Sequence, residues 1–108
     1  LSRRAAQPVW RDPETNYLRR QVFARPDHPL EIVEVELPPH RSVDLPAASY
    51  NHIRQAISVV KGALTIVEGG VRHVLAAGDC LGFGPPADVT LANETARPCT
   101  YTVFLARS

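Results

Sequence analysis

Long apolar runs are missing from this 108-residue sequence: nothing approaches the roughly 20 consecutive apolar residues of a membrane-spanning helix, and the opening Leu1-Ser2-Arg3-Arg4 lacks the apolar stretch of a secretory signal. These absences predict a soluble, cytoplasmic chain with no membrane partner. Cysteine is scarce too. Cys80 and Cys99 have neither the CxxC spacing of a zinc site nor the density of a disulfide-bonded scaffold, and they read as buried free thiols. A broad basic face is also lacking. The formal net charge is +1, and six arginines in residues 1–25 face only Asp12 and Glu14, so the remainder of the chain sums to −3. That balance excludes a broadly basic nucleic-acid domain, and with no recognition helix and no aromatic interleaving it predicts no specific DNA binding by this chain alone. At 44% hydrophobic residues the chain suffices for one compact domain with its own core, and it is too short for two.

Proline, by contrast, is plentiful: ten residues cut the sequence into pieces too short for ordinary helices. The pieces read as strands. Val9-Trp10 and Tyr17-Leu18 flank an Asp12-Pro13 turn that Asn16 can close in the left-handed conformation, which predicts an opening β-hairpin. In residues 31–37, Val33, Val35 and Leu37 alternate with Glu34 and Glu36, the period of a half-buried strand with solvated glutamates. Residues 49–60 fit helical spacing at Ile53, Ile57 and Val60, but the β-branched Ile57-Ser58-Val59-Val60 before Lys61-Gly62 favours a strand. Residues 63–68 and 71–76 form a hairpin across Gly69-Gly70, with Val71, His73 and Leu75 on one face. Short strands follow at 80–83, 88–92 and 100–106, separated by Ala77-Gly78-Asp79 and Gly84-Pro85-Pro86. Strands at this spacing mean an all-β sandwich or barrel.

The stretch from Gln55 to Asn93, with Val60-Lys61-Gly62-Ala63-Leu64-Thr65-Ile66, Gly78-Asp79, Pro85 and Asn93, resembles the two sequence motifs of the cupin family. The resemblance implies a double-stranded β-helix, a jelly roll, here preceded by the N-terminal hairpin. Metal-binding members of the family use three histidines and a glutamate. Counted from Gly62, the glutamate position falls on Gln55, and the histidine pair falls on Ser49 and Asn51 or on Ala48 and Tyr50. Counted from Asn93, the third histidine position falls on Val89. The ligand chemistry is gone at each, so the resemblance implies no metal and no cofactor. His52 stands one residue out of register, and one imidazole alone is a poor metal site. His28, His40 and His73 read as surface or packing residues.

A broader likeness runs through Val9-Trp10-Arg11-Asp12-Pro13, Tyr17-Leu18-Arg19-Arg20 and Glu31 to Pro39 into the cupin core. It resembles the C-terminal cupin sensor domain of XRE-type helix-turn-helix regulators, although His40 replaces the usual Pro-Gly. On this resemblance residues 1–8 are a linker remnant, residues 9–108 the β-barrel domain, and DNA is contacted only through a separate N-terminal domain. The β-strand period turns Ser49, Asn51, Ile53, Gln55, Ile57 and Val59 inward, joined by Val89 and Leu91. Ser49, Asn51, Ile53, Gln55, Val89 and Leu91 are the candidate ligand-binding residues, suited to a small, neutral or weakly polar organic effector. The alternative is that Asn51 and Gln55 satisfy each other and nearby backbone.

No general base, nucleophile or metal set is evident at a working spacing, so no catalytic residue is assigned and the chain is expected not to be an enzyme. Asp79 reads as a turn cap, and Cys80 lacks a neighbouring base. Three functions stand side by side: a ligand-sensing, dimerising domain of a regulator; a metal-dependent isomerase or dioxygenase; and a purely structural dimerisation module. The first and last both predict a homodimer, because exposed edge strands need cover.

Overall fold

The computed structural model describes residues 1–50 and 53–107. Ten antiparallel strands make up the domain: β1 (Val9–Arg11), β2 (Leu18–Phe23), β3 (Leu30–Leu37), β4 (Arg41–Leu45), β5 (Ile53–Lys61), β6 (Ala63–Glu68), β7 (Val71–Ala76), β8 (Cys80–Gly82), β9 (Val89–Asn93) and β10 (Cys99–Arg107). They form two facing sheets, β1-β2-β3-β10-β5-β8 and β4-β9-β6-β7. The expected all-β sandwich is present. Two single 3-10 turns, at Arg4–Ala6 and Ala47–Tyr50, are the helical elements among the described residues, as the prolines dictate.

The opening hairpin closes as its turn chemistry requires. Asp12 accepts from the Thr15 backbone N–H at 2.8 Å, the Asp12 N–H donates to the Tyr17 carbonyl at 2.9 Å, and Asn16 sits at φ +62°. Hydrogen bonds to the Thr15 hydroxyl and N–H hold the Asp12 carboxyl below its usual range. β2 runs five residues beyond Leu18, to Phe23, and pairs with β3. Residues 1–8 pack back onto it: Gln7 Nε2 donates to the Val22 carbonyl at 3.2 Å and the Arg20 guanidinium to the Arg4 carbonyl at 3.2 Å.

The core follows the strand period. Val33, Val35 and Leu37 are buried on β3, and Gln55, Ile57 and Val59 are buried on β5. Leu64 and Ile66 on β6, Leu75 on β7, Val89 and Leu91 on β9, and Cys99 and Tyr101 on β10 complete it. Three expectations need correction. The strand expected from residue 49 begins at Ile53, because Ala47–Tyr50 coil into a 3-10 turn after Pro46. β4 was not anticipated: Val43 and Leu45 are its only apolar inward residues, too short an alternation to stand out between Pro39 and Pro46. Cys80, expected to be buried, is exposed, since β8 is an edge strand.

The motif residues now have physical roles. Gly62 takes φ +77° in the β5–β6 turn, and a Cβ there would stand 2.9 Å from the Pro98 carbonyl, so only glycine fits. Asp79 accepts from the Ala76 N–H at 2.9 Å, the capping expected of it. Asn93, almost fully buried, donates to the Leu37 carbonyl at 3.0 Å and the Arg97 carbonyl at 2.7 Å. Its Oδ1 accepts from the Thr95 N–H at 3.0 Å and the Thr95 hydroxyl at 2.7 Å. Asn93 therefore clasps the end of β9 to the end of β3 and shapes the turn into β10.

Candidate functional site

Between the sheets, on the side where β2 and β3 face β4, the sandwich does not close. β2 turns Arg19 and Gln21 toward the interior rows of Val35 and Val33, where an apolar strand would have supplied filler. Gln21 donates to Glu31 at 2.7 Å and so stays at the rim. A cavity of about 200 Å³ remains. Val33 and Val35 of β3, Val43 and Leu45 of β4, and Leu91 of β9 form one part of its wall. Ile53 and Gln55 of β5 and Tyr101, Val103 and Leu105 of β10 form another, while Tyr17 and Arg19 complete it.

Of the residues expected at the site, Ile53, Gln55 and Leu91 line this cavity. Val89 is buried next to it, in a smaller pocket shared with Ile53, Gln55 and Phe83. The two counts that put family ligand positions at Gln55 and Val89 thus converge on one place. Ser49 falls in the 3-10 turn, and Asn51 and His52 lie outside the described residues. Tyr17, Arg19, Val43, Leu45 and Tyr101 were not among the expected site residues. The hairpin pattern places Tyr17 and Arg19 on one face of the second strand, but which face turns inward is set by the pairing of Arg19 with Val35 of β3.

Gln55 is the most telling of these side chains. It is 9% exposed, and its Nε2 is buried with no hydrogen-bond partner among the described residues. Buried amides are almost always paired, so this donor is free to meet an acceptor that the described residues do not supply. Tyr17 stacks edge-on against Trp10, with ring centroids 5.7 Å apart. Burial first, and the Asp12 carboxylate second, push its phenol above the usual tyrosine range, so it is a hydrogen-bond donor at neutral pH.

A metal of the kind held by the metal-binding members of that family needs imidazole or carboxylate donors. Val89 offers only methyl groups and Gln55 a neutral amide. Among the described residues no three His, Cys, Asp or Glu side chains cluster to hold an ion. The donor set here does not fit such a metal. Cys99 is free, buried, and pushed up by burial to about 11, while Cys80 is free and exposed. His28 accepts from the Leu30 N–H at 3.0 Å and packs on Phe23; His40 is exposed and His73 half-buried.

No protein-family model matches the sequence, and no curated protein does. Solved structures do match in shape. The Cupin_2 domain of an XRE-family transcriptional regulator from Enterobacter cloacae superposes with a TM-score of 0.77, at 13% identity, over 85% of this chain and 97% of that one. The fold is that of a cupin. An HTH_3-family transcriptional regulator from Vibrio cholerae matches this chain with a TM-score of 0.79 at 19% identity. That match covers 89% of this chain but 54% of the regulator, so the chain spans about half of that protein. A predicted oxalate decarboxylase from Thermotoga maritima matches all of this chain and 99% of its own length, with a TM-score of 0.84 at 10% identity. At these identities the superpositions establish a shared fold and nothing further. No described helix is long and apolar enough to cross a membrane.

Proposed function

We propose that this cupin is the ligand-sensing and dimerising domain of a helix-turn-helix transcriptional regulator, with its DNA contacts made by a separate domain and its metal ligands lost. The observation that carries the reading is the apolar cavity lined by Gln55, whose buried amide has no partner among the described residues. A chain that only needed stability would fill such a space or pair such a donor. The match to two regulator structures supports the regulatory setting. Enzymatic chemistry is disfavoured by donor chemistry at Gln55 and Val89, despite the decarboxylase-like neighbour. Dimerisation is supported by uncovered apolar residues on edge strands: Val9 and Trp10 on β1, and Val71 and Val74 on β7.

Native mass spectrometry of the purified domain, paired with elemental analysis of the same sample, tests the proposal. The expected result is a homodimer with substoichiometric metal and a small-molecule adduct that leaves on activation. Stoichiometric iron, manganese, nickel or zinc would instead return the chain to the metal-dependent enzymes, and a monomer at micromolar concentration would remove the dimerising role.

A further inference from the structure

The cavity walls are apolar, but its mouth is not neutral. Of the twelve basic residues, ten are exposed and two, Arg19 and Arg20, are half-buried. Arg20 donates to the Arg4 carbonyl. The Arg19 side chain makes no hydrogen bond or ion pair among the described residues. It lines the cavity on one side and an open cleft beside Trp10 on the other, which stands its side chain at the boundary between cavity and solvent. Tyr17 lines the cavity too, and its hydroxyl likewise has no hydrogen-bond partner among the described residues. Among the described residues no aspartate or glutamate lines the cavity. A half-desolvated guanidinium without a counter-ion is costly, and an anion entering the mouth would offset that cost in a low-dielectric setting.

Resting on the sensing role proposed above, we infer that the cavity takes a small carboxylic acid with an apolar body. The carboxylate binds Arg19 and the Tyr17 hydroxyl, the body packs on Val35, Leu91 and Val103, and the Gln55 amide donates to an acceptor atom on the ligand. The fork of an arginine matches a planar carboxylate, and one cation balances one negative charge, whereas a dianionic phosphate would remain half-compensated. Size sets the second limit. An apolar cavity of about 150 Å³ holds benzene, so the 200 Å³ here admits a single ring or a short branched chain.

Benzoate and benzamide, which share a ring and differ in charge, are the probes. Titrated into the isotope-labelled domain and followed by amide chemical shifts, benzoate should perturb Val33, Val35 and Leu91 and bind at least about tenfold more tightly than benzamide. Arg19→Gln should bring benzoate down to the benzamide level and leave benzamide unchanged. Arg19→Lys, which keeps the charge without the fork, should recover part of the loss, and an unaltered spectrum away from the mouth reports that both variants fold. Equal binding of the two probes, unmoved by Arg19→Gln, overturns the acid and leaves the sensing pocket standing. No response of the cavity amides to either probe at millimolar concentration overturns both.

Discussion

The two flanks of the sandwich are built from the same kinds of strand and end in opposite states. Where β5 faces β6 and β7, Ile57, Val59, Leu64, Ile66 and Leu75 are at most 5% exposed and the sheets are sealed. Where β2 and β3 face β4, Val43, Leu45 and Val103 are only half-buried around a cavity, and the inward positions of β2 hold Arg19 and Gln21. The difference is one of side chains on a common backbone plan: the packed flank is filled by Ile57, Val59, Leu64, Ile66 and Leu75, whereas the open flank has Arg19 and Gln21 at inward positions of β2. A jelly roll therefore needs only one sealed flank to fold, which leaves the other free to vary toward a ligand.

Truncation should separate the flanks. Ile66→Ala, at a fully buried position, is expected to cost about 3–4 kcal/mol, and Val103→Ala, beside an existing void, about 1 kcal/mol. Equal losses in urea denaturation would mean that the open flank closes in solution. The Asn93 clasp comes next. Asn93→Ala strips partners from two carbonyls and from the Thr95 donors, and should cost about 2–3 kcal/mol, read from the same curves.

Most of the sealed flank was legible in the sequence, because its strands alternate cleanly and its turns carry Lys61-Gly62, Gly69-Gly70 and Gly78-Asp79. The open flank was only half legible. Gln55, Ile53 and Leu91 could be placed by period and motif register, but β4 has two apolar residues and no turn signature, so nothing local announced what faces β2. Arg19 looked like one of a run of amino-terminal arginines on a solvated face. Its inward direction depends on long-range pairing with Val35, which no short-range pattern encodes.

A pH test sharpens the contrast from the sealed side. Burial raises the Cys99 thiol from 9.0 to about 11, so the folded state keeps a proton that the unfolded chain has begun to lose. The associated stability is complete below pH 9 and is lost as pH rises toward 11, by about 2 kcal/mol, and the slope should flatten in Cys99→Val. On the open side the sign reverses. Gln55→Leu removes a buried amide that has no partner among the described residues and should raise stability by about 1 kcal/mol while weakening benzoate binding. A loss of stability would show that the amide is paired in solution.

The smallest effect belongs to the turn between β3 and β4, which begins where the Asn93 clasp ends. His40 sits at φ +57°, a left-handed conformation that costs a side chain with a Cβ about 1 kcal/mol and glycine almost nothing. It is exposed, with no hydrogen bond among the described residues to offset the strain. Glycine also loses more freedom on folding, so the two terms partly cancel. His40→Gly should therefore raise the urea midpoint slightly, by the equivalent of about 0.5 kcal/mol, with benzoate affinity unchanged because His40 does not line the cavity. A change in affinity would mean that the turn and the open flank move together, and that the two flanks are coupled through β4.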